Sequence, residues 1–213
     1  NIFFIDSNTG WFLAGDKVFR TDDGGKSWES SDLPVQMPSI FRKGMPKIGG
    51  GWQGDIFFAD NKKGWAVVGL WYIFYTDDGG KTWHVQFSGK EMSYGLGHFF
   101  FADAKRGCVG GSTIFCTEYG LDWKERLSVG PMRREDIKGF FIELWGGDFV
   151  NNEVGWAVGP YGLIMKTENG GKNWEVKTRT TSYLFINDKI GWAVEKGSII
   201  RIDDGGDTWK VQK

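Results

Sequence analysis

The chain has 213 residues, with 26 basic against 27 acidic side chains, a formal net charge of −1, 16% aromatic residues and 33 glycines. That balance excludes the broad positive field on which non-specific nucleic-acid binding depends, and no apolar stretch approaches the roughly 20 residues of a membrane helix. The length allows one domain, and high Gly with high aromatic content suits short strands joined by tight turns.

In chain order, the first unit opens with Ile2-Phe-Phe-Ile-Asp6, continues with Gly10-Trp11-Phe-Leu-Ala-Gly15 and Val18-Phe-Arg20, and runs into a box, Thr21-Asp-Asp-Gly-Gly-Lys-Ser-Trp28. The second repeats it as Ile56-Phe-Phe-Ala-Asp60, Gly64-Trp65-Ala-Val-Val-Gly69, Ile73-Phe-Tyr75 and Thr76-Asp-Asp-Gly-Gly-Lys-Thr-Trp83. A third, degenerate unit has Gly107-Cys108-Val-Gly110, Ile114-Phe115 and a shortened box, Cys116-Thr-Glu-Tyr-Gly-Leu-Asp-Trp123. The fourth has Gly155-Trp156-Ala-Val-Gly159 and Thr167-Glu-Asn-Gly-Gly-Lys-Asn-Trp174, and the fifth Gly191-Trp192-Ala-Val and Ile202-Asp-Asp-Gly-Gly-Asp-Thr-Trp209. Counted back from the Gly-Trp tryptophan (Cys108 in the third unit), the seventh residue is always Phe (Phe4, Phe58, Phe101, Phe149, Phe185) and the fifth always Asp or Asn (Asp6, Asp60, Asp103, Asn151, Asn187).

These are strand patterns, short aromatic or β-branched runs bounded by Gly, Asp and Asn, and no helical period persists. Each unit supplies strands A, B and C before its box, and the residues after the box Trp supply strand D. Repetition at about 45 residues predicts an all-β fold, a β-propeller of five four-stranded blades with the boxes between strands C and D. The blades fall at roughly 1–38, 55–90, 97–130, 146–178 and 182–213 of one domain, with D–A insertions at about 39–54 and 131–145.

Within the boxes, Asp23, Asp78, Glu118, Asn169 and Asp204 are read as turn-closing acceptors, and Trp28, Trp83, Trp123, Trp174 and Trp209 as packing residues between blades. The paired aspartates lack the alternating donors and distant Glu of an EF-hand, so no metal is expected, nor any cofactor. The two cysteines, Cys108 and Cys116, fall in the third unit. Aligned through Ile-Phe-Cys-Thr, Cys108 takes the place of the strand-B Trp and Cys116 that of Arg20, Tyr75, Lys166 and Arg201, which pairs them across strands as a disulfide. Aligned on Trp123, Cys116 moves one place and two reduced core thiols result; both readings stand at this point.

The T-x-D-x-G-x-[ST]-W box resembles the Asp-box, or bacterial neuraminidase repeat. The longer F-x-D-x-x-x-G-W-A-V-G…T-D-D-G-G-K-T-W pattern is similar to repeats of the photosystem II stability and assembly factor family, along nearly the whole chain. The resemblance implies a propeller that scaffolds a protein partner, has no chemistry of its own, and works outside the cytoplasm. The sequence opens inside an apolar run without Met and without a signal peptide, as expected of a mature form or a piece of a longer chain.

Strand alternation places A–B and C–D turns on one face and B–C and D–A connections on the other. The second face holds all the length variation and the tryptophans outside the repeat, Trp52, Trp71 and Trp145. With Asp55, Tyr94, His98, Arg133, Arg134 and Asp148 they form the expected binding surface, a composition suited to a protein or peptide, or to a glycan. A monomer is expected. No catalytic motif or Cys/His cluster occurs; His98, with Asp55 or Asp148, is the one group placed for acid–base work in the alternative reading of a glycan-active enzyme.

Overall fold

A computed structural model of the chain describes residues 1–34, 54–68, 72–88, 96–111, 113–128, 144, 146–159, 163–179, 182–187, 189–195, 197–205 and 207–212. The described residues form five four-stranded antiparallel sheets. The first holds β1 (Ile2–Phe4), β2 (Gly10–Ala14), β3 (Lys17–Thr21) and β4 (Glu29–Asp32); the second β5 (Gly54–Phe58), β6 (Gly64–Val68), β7 (Tyr72–Thr76) and β8 (His84–Ser88). The third holds β9 (Leu96–Phe101), β10 (Gly107–Gly111), β11 (Thr113–Thr117) and β12 (Lys124–Ser128). The fourth holds β13 (Gly146–Phe149), β14 (Gly155–Val158), β15 (Leu163–Thr167) and β16 (Glu175–Arg179); the fifth β17 (Ser182–Phe185), β18 (Gly191–Glu195), β19 (Ser198–Ile202) and β20 (Lys210–Val211). Strands follow chain order within every sheet, the meander of a propeller blade. The chain divides into two compact units, Asn1–Gly97 and His98–Lys213.

The repeated Phe and Gly are two halves of one contact. Phe4 lies opposite Gly10, Phe58 opposite Gly64 and Phe149 opposite Gly155 in the A–B register. A Cβ on Gly64 would stand 2.5 Å from the Phe58 ring, and one on Gly107 2.3 Å from that of Phe101. The ring therefore lies flat on a bare backbone, which only Gly leaves open. The repeated Asp or Asn closes the A–B turn: Asp60 Oδ1 accepts from the backbone N–H of Lys62 and Lys63 at 2.7 Å, and Asn151 Oδ1 from Glu153 and Val154 at 2.8 Å.

In the first unit the core joins both sheets, with Trp11 stacked on Phe58 at 3.6 Å between centroids and Trp83 edge-on to Phe58. In the second, Phe100, Ile114, Leu144, Leu163 and Met165 surround Cys108 and Cys116, and Trp174 meets Phe100 edge-on.

Candidate functional site

The boxes come first, because their carboxylates are the most repeated polar groups. In the first, Thr21 Oγ1 accepts the Gly25 N–H at 2.9 Å and donates to Asp23 Oδ1 at 2.8 Å, while Asp23 accepts from the Ser27 N–H and hydroxyl at 2.9 and 2.5 Å. Thr76, Asp78, Gly80 and Thr82 repeat this arrangement. Asn169 does the same with its amide oxygen, accepting from the Asn173 N–H at 2.9 Å. Asp204 takes the N–H groups of Asp207 and Thr208. The Ser27 hydroxyl and N–H, with Thr21, hold the Asp23 carboxyl far below the usual carboxylate range. At Asp78 partial burial pushes upward, but bonds from Thr82, Thr76 and Lys81 outweigh it and bring the carboxyl to about 2. The Asp23 and Asp78 carboxylates are thus committed to turn closure and remain ionised at neutral pH, so they serve neither as general acids nor as free ligands.

The third box departs from the expected pattern. Glu118 does not close the turn; its carboxylate pairs with Arg126 at 3.1 Å and lies 3.8 Å from Lys172 Nζ. Thr117 Oγ1 instead reaches Asp122 Oδ1 at 3.5 Å. The shortened box sets Tyr119 where the others have the acceptor Asp, which leaves Glu118 aligned with Asp22, the residue before it. Tyr119 and Leu121 are exposed at the tip.

One cross-strand position recurs in every sheet. Trp11 faces Arg20, Trp65 faces Tyr75, Cys108 faces Cys116, Trp156 faces Lys166 and Trp192 faces Arg201. The cations lie 5.3–5.8 Å from the ring centroids. Cys108 and Cys116 are joined by a disulfide.

The same pair reaches the Gly-Gly of the following box. Arg20 Nη1 donates to the Gly79 carbonyl at 3.0 Å, alongside Trp11 Nε1 at 2.9 Å, and Lys166 Nζ donates to the Gly205 carbonyl at 2.9 Å. A Cβ on Gly171 would meet Cys108 Sγ at 2.7 Å and Cys116 Sγ at 2.9 Å. The sequence shows the pair within each sheet; its reach into the next sheet was missed, because no spacing along one chain reports a contact between repeats.

Of the expected surface residues, His98 on β9 and Asp148 on β13 are exposed. Asp55 is not a surface group: it is buried on β5, with Oδ1 engaged by the Asn1 amide and by the Ile56 N–H at 2.8 Å. Asp55 and its neighbour Ile56 are both buried on this strand, and the Asn1 amide donates to the buried carboxylate. Trp52, Trp71, Tyr94, Arg133, Arg134 and Trp145 lie outside the described residues. Among the described residues no group of three or more His, Cys, Asp or Glu could hold a metal ion, and no helix is long and apolar enough to cross a membrane.

The BNR/Asp-box repeat family matches residues 74–85, which cover the second box. The chain carries Asp-box repeats on a β-propeller fold. Over 122 residues it is 25% identical to the photosystem II assembly lipoprotein Ycf48 of Synechococcus sp. (strain CC9902), a match that takes in 52% of this chain and 34% of that protein. This chain's matched part thus spans about a third of the relative's length. Ycf48 from Cyanidioschyzon merolae superposes with a TM-score of 0.54 at 17% identity, over 99% of this chain and 83% of that one. An ancestral GH74 enzyme superposes with a TM-score of 0.67 at 12% identity, over 100% of this chain and 30% of that one. At such identities the structural likeness concerns the fold alone. The Asp-box propeller thus shares its architecture with an assembly factor and with a glycosidase family.

Proposed function

We propose that this Asp-box propeller is a non-catalytic scaffold that holds a protein or peptide segment on the face opposite its boxes. The observation that carries this reading is the division of labour between the faces. The box carboxylates close turns of fixed length. On this reading the irregular connections, with Trp52, Trp71 and Trp145, belong to the other side, as strand alternation in the sequence implies. Trp, Tyr and Arg on loops held by a rigid scaffold are the side chains that dominate protein-binding surfaces. The 25% identity to a protein named for photosystem II assembly supports a protein partner over a small-molecule substrate. Within this reading Trp52, Trp71, Tyr94, His98, Arg133, Arg134, Trp145 and Asp148 are the contact residues, and the buried Asp55 is not among them.

The Cys108–Cys116 disulfide suits an oxidising compartment. The lipoprotein name of the Synechococcus relative points the same way. We place the scaffold outside the cytoplasm on these two grounds.

The test is a peptide array followed by titration of the best hits against wild type and the triple variant Trp52→Ala, Trp71→Ala, Trp145→Ala. Loss of about 2 kcal/mol or more, the effect of removing interface anchors, is expected with the melting temperature unchanged. Peptide binding that ignores all three tryptophans, or selective binding on a glycan array instead, overturns the reading.

A further inference from the structure

The fourth box differs from its counterparts by one functional group. Where the first, second and fifth boxes carry Asp23, Asp78 and Asp204, it carries Asn169, and Gly170 follows as the chain's one Asn-Gly pair. Asn169 is exposed, and its side-chain carbonyl is bonded twice: Thr167 Oγ1 donates to Oδ1 at 3.1 Å and the Asn173 N–H at 2.9 Å. Among the described residues no acceptor takes a hydrogen bond from its amide Nδ2.

Asparagine is among the chemically labile side chains, and here its surroundings favour one reaction. Two donors on a carbonyl oxygen stabilise the oxyanion that forms when a nucleophile attacks the carbon. The nucleophile is covalently fixed: the Gly170 backbone nitrogen is one bond short of a five-membered ring with Asn169 Cγ. Gly170 has φ 69° and no Cβ, so its own side does not hinder ring closure. In the closed box its N–H donates to the Glu153 carbonyl at 2.8 Å, so attack waits on the opening of that bond.

We propose that Asn169 is a self-modification site, which deamidates in the folded protein and which the box directs to α-aspartate. The Gly170 nitrogen gives its proton to water or hydroxide and bonds to Asn169 Cγ; the Cγ–Nδ2 bond breaks, ammonia leaves, and a succinimide remains. Water then opens the ring. Addition at Cγ breaks the Cγ–N bond, returns a proton to the Gly170 nitrogen and yields aspartate. Addition at the main-chain carbonyl yields isoaspartate, with an extra methylene in the backbone. The Thr167 and Asn173 donors act on the Cγ oxygen, so they favour the first course. Isoaspartate would also lengthen the chain between Thr167 Oγ1 and the Gly171 N–H, which are bonded at 2.9 Å. Aspartate fits the box: Asn173 stands where Ser27 and Thr82 donate to the second carboxylate oxygen, and its amide has N–H groups to offer. Water is the sole co-reactant, and the product is the carboxylate that three other boxes already hold.

Incubation of the whole chain at mildly alkaline pH, folded and in urea, tests this, read by peptide mass spectrometry with fragmentation that tells aspartate from isoaspartate. The folded protein should lose the amide at position 169 with aspartate as the major product, while Asn61 and Asn152, which precede Lys and Glu, stay as they are. The urea sample should give mainly isoaspartate, the usual outcome when a succinimide opens unconstrained. Asn169→Asp, made directly, should fold and elute with the converted protein on ion exchange. A folded chain that keeps the amide through an incubation that converts the urea sample overturns the proposal. So does an isoaspartate share equal to that in urea, equal conversion at Asn61, or an Asn169→Asp chain that fails to fold.

Discussion

Cys108 and Cys116 are bonded across β10 and β11 at the register where the other sheets oppose Trp11 to Arg20, Trp65 to Tyr75, Trp156 to Lys166 and Trp192 to Arg201. The third sheet has exchanged a cation–ring contact, which extends a polar arm into the next repeat, for a covalent link that presents two sulfurs to Gly171. Both solutions press on the Gly-Gly of a box, one through a hydrogen bond and one through van der Waals contact.

Reduction of that bond should cost measurable stability. The cysteines are separated by 8 residues, and closing so short a loop in the unfolded chain corresponds to about 2–3 kcal/mol in the chain-entropy treatment. The guanidinium midpoint of the oxidised protein should therefore exceed that of the protein titrated with a phosphine reductant. With both sulfurs buried, the native oxidised chain should take up no thiol label, while unfolding in reductant should expose two. An unchanged midpoint would show that packing around Gly171 holds the third and fourth sheets without the covalent link.

The Arg20 arm carries the equivalent junction in the first unit. Its guanidinium donates to the carbonyls of Gly79 and Asn61 and pairs with Asp22 at 2.7 Å. Arg20→Met keeps the stem over Trp11 and removes the donors. The loss should be about 1.5–3 kcal/mol, the range for hydrogen bonds to a charged group. Arg20→Lys should recover more than half of it, because Lys166 makes the same carbonyl bond in the fourth sheet. Urea titration of the three proteins decides the matter, and equal midpoints for Met and Lys would deny the arm any role.

Much of this was legible in the sequence, for a specific reason. Repetition supplies an internal alignment, so the strand register, the box turns and the coincidence of Cys108 with Cys116 could be read by comparing five copies. The invariant Phe and Asp or Asn positions were visible too, but not their purpose. That Phe58 lies on the bare backbone of Gly64, and that Asp60 closes a turn, are facts of pairing between strands. Glu118 was misassigned because the third box lost a residue, so that alignment from its Thr and alignment from its Trp place different residues in the acceptor role. Asp55 reads as a binding carboxylate at the start of the second blade; its burial on β5 and its bond from Asn1, more than fifty residues away in sequence, are contacts that no local pattern reports.

Acid should weaken the box turns in order. The folded pKa of Asp78 is depressed to about 2, chiefly by the Thr82 bonds acting against partial burial. The stability it contributes is thus fully present above the unfolded value near 3.8 and is lost as pH falls from there through about 2. Asp23 is held lower still, so its contribution persists to more acid pH. Asp78→Asn keeps the acceptor oxygen, as Asn169 shows, and removes the titration. The difference in unfolding free energy between wild type and Asp78→Asn should be constant from pH 7 to about 4.5 and shrink below it. A difference that stays constant down to pH 2 would mean that the depressed pKa does not stabilise the fold.

Two glycines separate the effect of backbone conformation from that of packing. Gly15 has φ 66° and open space where a Cβ would stand; Gly171 has φ 85° and the disulfide sulfurs at 2.7 and 2.9 Å from that point. Gly15→Ala should therefore cost only the left-handed backbone penalty of about 1–2 kcal/mol. Gly171→Ala adds overpacking against Cys108 and Cys116, for a total of about 3–5 kcal/mol. Reduction offers a further discriminator, since breaking the bond lets the sulfurs move apart. The gap between the two alanine variants should narrow in reductant if the clash is with the disulfide. A gap that persists unchanged would locate the strain in the turn itself, and would mean that the Gly-Gly of the fourth box is required by its own φ rather than by the neighbour pressed against it.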